Sequence, residues 1–288
     1  MEDTLIPYQT GSLPFDRHIL VLSPHPDDEI FGCGGALALH ADAGAQLHVV
    51  LVTGGDAAGE AATRLQESRN AARALGIPEP DCWCIPDRYV RNDVSLIGRI
   101  RDAIAATEAT LVYAPSLWEN HPDHRGLAEA TLRVVRELGH VGWMAYEVSA
   151  PLRPNLLIDI GPVLARKHAA MACFPSQLAL QTYDRHLNAL NVFRTYTLRA
   201  SVQAAEAYEY YPPGALAGGR PTLLEQELKR LAGLQPPKPI AQAENPLQAE
   251  VDTLRRERDE LLTSTSWRIT APLRALGYLR SRFGRRGG

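Results

Sequence analysis

Short runs of aliphatic and β-branched residues alternate with longer helix-patterned segments through the first two-thirds of the chain. Ile19-Leu20-Val21-Leu22, Leu47 to Val52 and Leu111-Val112-Tyr113 read as buried strands. Trp83 to Ile85, Trp143 to Val148 and Leu156 to Ile160 are weaker strand candidates. Helical patterns fill the intervals, at about Gly34 to Ala43, Ala62 to Leu75, Ser95 to Ala106, Arg125 to Leu138 and Val163 to Cys173. Strands joined by helical crossovers must run parallel, so the pattern predicts an α/β fold with a largely parallel sheet and helices on both faces. From Leu178 to Tyr211 a helical stretch is expected to pack on that body.

The composition then changes. Pro212-Pro213-Gly214, Gly218-Gly219 and Gln235-Pro236-Pro237-Lys238-Pro239 mark residues 212–246 as a Pro/Gly-rich linker with a short helix. Leu247, Val251, Leu254 and Leu261 follow at heptad spacing with Arg258 in the intervening slot, making 247–288 a helical basic extension and 1–211 the α/β domain. The last 25 residues hold six arginines and no acid, so the rest of the chain carries −9 within a total of −3. An acidic body repels phosphate backbones, which excludes nucleic acid as the expected partner. Four cysteines make no disulfide framework, and no apolar run or signal pattern suggests a membrane span or export; a cytoplasmic setting is expected. Cys82 and Cys84, two apart on a strand, are expected to point to opposite sides as small buried residues.

The chemistry concentrates directly after the first strand, in Ser23-Pro24-His25-Pro26-Asp27-Asp28-Glu29. Three successive carboxylates beside an imidazole repel one another unless a cation balances them, although a solvated acidic loop would carry the same run. A second cluster, Trp118-Glu119-Asn120-His121-Pro122-Asp123-His124-Arg125, follows the strand at Leu111 to Tyr113 and again precedes a helix. In an open parallel sheet, ligands bind beyond the carboxyl ends of the strands, so the two clusters are expected to converge. His25, Asp28 and His124 would then offer two nitrogens and one oxygen to a divalent cation, a set that suits catalytic zinc but also accepts other divalent ions. A dinucleotide site is rejected, because Gly32-Cys33-Gly34-Gly35 lacks the G-x-G-x-x-G spacing and follows three acids. Those glycines instead let the helix lie close to its neighbours.

Taken together, His25-Pro26-Asp27-Asp28-Glu29, Gly32-Cys33-Gly34-Gly35, Thr53-Gly54-Gly55, Arg64 with Glu67, and His121-Pro122-Asp123-His124 resemble the PIG-L/LmbE-type N-acetylglucosaminyl deacetylases, over about Ile19 to Gln177. That resemblance implies a Rossmann-like fold and zinc-dependent removal of an N-acetyl group from an amino-sugar-containing small molecule or glycan precursor. It implies His25, Asp28 and His124 as metal ligands, Asp27 as general base, and His121 as the second catalytic group, charged among the carboxylates. Asp123 would orient His121 and Glu29 would support the metal loop, each against a plain helix-capping role. Gly54 stands where an acidic residue is frequent in the family, so a substrate hydroxyl contact would fall to Asp56 or be missing. Arg64 would hold the sugar or an attached phosphate, against an ion pair with Glu67. An amidase acting on a thiol conjugate or antibiotic amide, and a non-catalytic module of a glycan-assembly complex, are the alternatives. Leu261 to Arg274 resemble a short segment appended to bacterial glycosyltransferases and surface-polysaccharide enzymes, and for residues 264–288 docking on the inner face of a membrane or on a partner enzyme is weighed against a solvated tail.

Overall fold

The computed structural model describes residues 6–14, 16–233 and 253–260. The chain divides into two compact units, Met1–Lys229 and Arg230–Gly288. The first is built on seven strands: β1 (His18–Ser23), β2 (Gln46–Thr53), β3 (Asp81–Ile85), β4 (Leu111–Pro115), β5 (Gly142–Tyr146), β6 (Leu156–Asp159) and β7 (Ala205–Tyr211). They lie in the order β3-β2-β1-β4-β5-β7-β6, with β1 to β5 parallel and β7 antiparallel to both its neighbours. Helices α1 (Asp28–Asp42), α2 (Ala61–Leu75), α3 (Val94–Thr107), α4 (Pro122–Leu138), α5 (Leu164–Met171), α6 (Pro175–Leu178), α7 (Tyr183–Phe193) and α8 (Leu223–Gly233) complete the chain order. The expected α/β architecture with a largely parallel sheet is the one observed.

Alternation along β1 sorts the core into two layers. Ile19 and Val21 pack with residues of α1, α2 and α5, whereas Leu20 and Leu22 pack with α3 and α4. Both faces are covered, so each central strand is apolar on both sides and reads as a continuous hydrophobic run. The chain moves outward from β1 in both directions, to β2 on one side and β4 on the other, so their junction is the switch point where a crevice opens.

Helix α1 begins earlier than the apolar periodicity suggests. Asp27 is its N-cap, and Asp28 and Glu29 form its first turn, where free amides favour negative charge. The glycines behind them allow close approach: a Cβ on Gly32 would stand 2.5 Å from the Tyr146 ring, and one on Gly35 2.5 Å from Ile160 Cγ2.

The expected helix over Leu178 to Tyr211 is corrected. It ends with α7, and residues 205–211 form β7, inserted between β5 and β6. Ala and Glu favour a helix, but the glutamates of this strand are buried and need partners that only the sheet position supplies. Glu206 accepts the backbone N–H groups of Gly35 (2.7 Å) and Ala36 (2.8 Å) and pairs with buried Lys167 (2.7 Å). Glu209 accepts from Trp118 Nε1 and the Tyr211 hydroxyl. The cysteine reading is corrected too: Cys84 adopts φ 50°, which turns its exposed thiol back to 2.9 Å from Cys82 Sγ.

Beyond β7 the chain stays on the body for a further stretch, with Leu216 buried against the α3 and α4 layer and Glu225 paired with Arg136 at 2.6 Å. In the second unit, 253–260 is helical and Leu254 is exposed. The other heptad positions, the Pro-rich segment 235–239 and the basic segment 264–288 lie outside the described residues.

Helix α4 is held against the loop after β3 by a missing side chain. A Cβ on Gly126 would stand 2.4 Å from the carbonyl oxygen of Val90, a backbone atom that cannot swing away. Gly126→Ala should cost about 1–3 kcal/mol through forced displacement, read as a lowered unfolding midpoint in a thermal melt.

Candidate active site

The parallel pairing of Ile19, Leu20 and Val21 with Leu111, Val112 and Tyr113 sets the carboxyl ends of β1 and β4 side by side. Each end leads through a His-Pro-Asp group into a helix, but in different register. Pro26 precedes the N-cap of α1, whereas His121 is itself the N-cap of α4 and Pro122 its first residue, which needs no N–H partner. This offset places His25 before its helix and His124 within the first turn of the other.

The two loops meet. Asp28 Oδ2 lies 3.1 Å from His25 Nδ1 and 3.1 Å from His124 Nε2, and those nitrogens are 3.3 Å apart. Four-coordinate zinc with ligands at about 2.0–2.1 Å requires ligand atoms roughly 3.3 Å apart, so this triangle has the size of one face of such a site. His121 stands next to it, its ring centroid 4.9 Å from that of His25 and 5.2 Å from that of His124. The ligand atoms of the three imidazoles lie within 4.8 Å of one another, so the three histidines also form a group able to hold a metal ion.

His25 and His124 are each oriented by a carboxylate on the ring nitrogen that faces away from the triangle. Asp123 Oδ2 lies 3.2 Å from His25 Nε2 and also accepts the Arg88 N–H at 2.6 Å. Asp123 therefore orients His25, not His121 as expected; only its backbone N–H meets His121 Nδ1, at 3.2 Å. Glu119, which the sequence reading passed over, lies 3.1 Å from His124 Nδ1 and takes the Val148 N–H at 2.6 Å. Its signal was a single carboxylate five residues before a candidate ligand, too common a spacing to single out. Glu29 accepts from the Asp27 N–H (3.1 Å), the Ser23 hydroxyl (3.2 Å) and the Ser68 hydroxyl, bracing the loop from beneath.

Asp27 is held in a backbone conformation unusual for a residue with a side chain, φ 125°. Its carboxylate makes no capping bond and turns to Arg64, whose Nη2 lies 2.9 Å away. The buried guanidinium also donates to the carbonyls of Pro26 (2.7 Å) and Gly55 (3.0 Å), while Glu67 bonds Ser176 instead. The alternative Arg64–Glu67 ion pair is thus absent, and Arg64 acts first on Asp27. Asp56 is exposed, receives the Asp87 N–H at 3.4 Å, and does not line the cavity described below.

The charges divide sharply. Burial disfavours charge on His25, but Asp123 and Asp28 outweigh it and push its pKa up to about 9. Burial is likewise outweighed at His124 by Asp28 and Glu119, which push it up to about 10. Against burial, the same imidazoles hold the Asp28 carboxyl well below the usual range. Burial and then the Asp28 charge push Asp27 up to about 8 despite Arg64. His121 moves the other way, lowered by burial and by the two neighbouring imidazoles. The expectation of a charged His121 is therefore corrected: the surrounding carboxylates are engaged by His25 and His124.

A cavity of about 260 Å³ opens over this cluster, with His25, Asp27, Asp28, Arg64, His121 and His124 in its wall. Asp87, Arg88, Asn120, Ser149 and Tyr183 also line it and carried no sequence signal beyond lying near the motifs. Removing the carboxylate behind His124 tests the arrangement: Glu119→Gln should weaken zinc binding about 10- to 100-fold by isothermal titration calorimetry.

The family model described as PIG-L: GlcNAc-PI de-N-acetylase matches residues 20–135. Among curated proteins, the chain is 29% identical to the 4-oxalmesaconate hydratase of Pseudomonas putida, over 58% of this chain and 76% of that one. It is 26% identical to the diacetylchitobiose deacetylase of Thermococcus kodakarensis, over 59% of this chain and 74% of that one. A conserved protein of Thermus thermophilus shares the fold at a TM-score of 0.62 and 23% identity, over 69% of this chain and 96% of that one. Both His-Pro-Asp loops lie inside the matched segment and converge at one crevice, so the chain's similarity to the PIG-L/LmbE family spans the whole of the site's two motifs.

Proposed function

We propose that this chain is a zinc-dependent hydrolase that removes the N-acetyl group from an N-acetylglucosamine-type amino sugar or its conjugate, releasing acetate and a free amine. The observation that carries this reading is the triangle of His25 Nδ1, Asp28 Oδ2 and His124 Nε2 with Asp27 and His121 lining the same cavity. His25, Asp28 and His124 would hold a divalent cation, which when bound would supply Lewis-acid polarisation of the amide and lower the pKa of water to about 7.

The chain's own residues supply the rest. Asp27, its proton affinity raised by burial and aimed by Arg64, takes the proton of the attacking water and returns it to the departing amine. His121 accepts the Asp123 N–H on Nδ1, so its neutral ring carries the proton on Nε2. That N–H is the donor for the carbonyl oxygen as it gains negative charge. In the wall, Asp87 Oδ1 is buried without a partner and suits a sugar hydroxyl. The cavity volume, near the lower end of the roughly 300–1,000 Å³ usual for small-molecule sites, suits one sugar ring rather than a long glycan.

A second reading comes from the similarity to a hydratase: the same apparatus would add water across the double bond of an unsaturated acid. The two are separated by product. Acetate release from N-acetylglucosamine conjugates, abolished by chelation and restored by zinc, is the expected result; loss of the ultraviolet absorbance of an unsaturated tricarboxylic acid without acetate would replace it. Asp27→Asn should lower kcat by about 10²- to 10⁴-fold, and an undiminished rate would remove Asp27 from its role.

Cation binding should depend steeply on pH. His25 and His124 carry protons below about 9 and about 10, and an ion must displace them. Apparent zinc affinity should therefore rise between pH 6 and 8, by about 10- to 100-fold per unit according to whether one or two protons leave. Proton release measured calorimetrically in buffers of different ionisation enthalpy checks the count. The described residues contain no helix long and apolar enough to cross a membrane.

A further inference from the structure

Strand β3 lies at the edge of the sheet and is irregular. Against β2 it pairs Cys82 with Leu51 and Ile85 with Thr53, so three steps along β3 oppose two along its neighbour and one residue bulges out. Cys84 takes the left-handed conformation of this bulge, φ 50°, which glycine would enter without steric cost. A cysteine there gains little from packing, because it is the exposed one of the four. Free cysteine is otherwise among the most buried residue types, and its reactivity rather than its packing usually decides its use.

The bulge turns two thiols together. Cys84 Sγ lies 2.9 Å from Cys82 Sγ, and the Cys84 N–H donates to the same sulfur at 3.1 Å. Cys82 is half-buried and donates in turn to the Thr53 carbonyl at 3.6 Å. Burial, and after it the bond from Cys84, pushes the Cys82 thiol up to about 12, so Cys82 keeps its proton while Cys84 faces water. A shallow groove lined by Cys82, Trp83, Arg99 and Asp102 gives a small molecule access to the pair.

We infer that Cys82 and Cys84 form a thiol–disulfide exchange site for a low-molecular-weight disulfide, with Cys84 attacking and Cys82 resolving. The Cys84 thiolate bonds one sulfur of that disulfide, its S–S bond breaks, and the departing thiolate takes up a proton. Cys82 then passes its proton through solvent to the second small thiolate as it attacks Cys84 Sγ and expels it. Two protein thiols are oxidised and one disulfide is reduced to two thiols, with no further reactant. The inference is independent of the hydrolase reading, because neither thiol lines the cavity over the histidines.

Oxidised glutathione, added to the reduced full chain, tests the site. After alkylation of the remaining thiols, trypsin releases residues 74–88 as one peptide that holds Cys82 and Cys84 but neither Cys33 nor Cys173, so mass spectrometry reads the pair alone. In the wild type this peptide should lose two hydrogens, escape alkylation, carry no glutathione, and recover both thiols with dithiothreitol. Cys82→Ser should stop at a glutathione adduct on Cys84, because the resolving sulfur is gone. Cys84→Ser should react at least about 10-fold more slowly than the wild type, since Cys82 holds its proton. Cys84→Gly should form no disulfide within the peptide, yet its unfolding midpoint should not fall, because glycine suits φ 50°. That variant separates missing chemistry from missing structure. A lasting glutathione adduct on the wild-type peptide, or a pair that stays reduced in excess oxidised glutathione, would overturn the site. An undiminished rate in Cys84→Ser would overturn it equally, since the attacking thiol would not be Cys84.

Discussion

Everything at the crevice depends on three residue pairs between β1 and β4. This short parallel ladder brings a histidine from near the start of the chain within 3.3 Å of one that follows 99 residues later. The energy that holds it is the burial of Leu20, Leu22, Val112 and Ala114 on one face and Ile19, Val21, Leu111 and Tyr113 on the other. The site itself adds the opposite: five carboxylates (Asp27, Asp28, Glu29, Glu119 and Asp123) and three imidazoles crowded into a largely buried volume, with Asp27 in an uncommon backbone conformation. Such a cluster persists because the sheet beneath determines its shape.

Within the cluster, partners are shared so that no charge faces burial alone. Asp28 serves both imidazoles, Asp123 serves His25 and two loop amides, and Glu119 serves His124 and the chain after β5. These carboxylates fix which nitrogen of each ring faces inward, a prerequisite for binding a cation with a defined face. His121 stands apart: among the described residues its ring accepts one bond, from the Asp123 backbone amide, while burial and the neighbouring imidazoles disfavour its charge, and it lines the cavity.

The parallel strands, the crossover helices and the two His-Pro-Asp loops were legible because each has a local signature: apolar runs, helical periodicity and costly residue clusters. What was not legible depends on distant partners. Strand β7 reads locally as helix, and its glutamates are explained by distant partners, Lys167 and the amides of α1 for Glu206 and Trp118 with Tyr211 for Glu209. The link from Asp123 to His25 rather than to its neighbour His121 depends on the turn at Arg88, where an arginine occupies a conformation that sequence patterning assigns to glycine. Arg64 was expected to hold the sugar or an attached phosphate, against a pairing with Glu67; its ion pair is with Asp27, across from another strand, and not with the residue three positions along its own helix.

The grip of Glu206 on the middle of α1 has a consequence for how the molecule can vary. Side chains of a strand alternate between faces, so a one-residue slip of β7 would present Ala205 or Ala207 in place of the glutamate. Lys167 and the amides of Gly35 and Ala36 would then be stranded in an apolar interior. Insertions or deletions between α7 and β7 are thus tolerable only as bulging at the surface. The antiparallel strand is registered against the same helix whose first turn carries Asp28, so the position of β7 within the sheet and the placement of the loop after β1 are fixed by one helix.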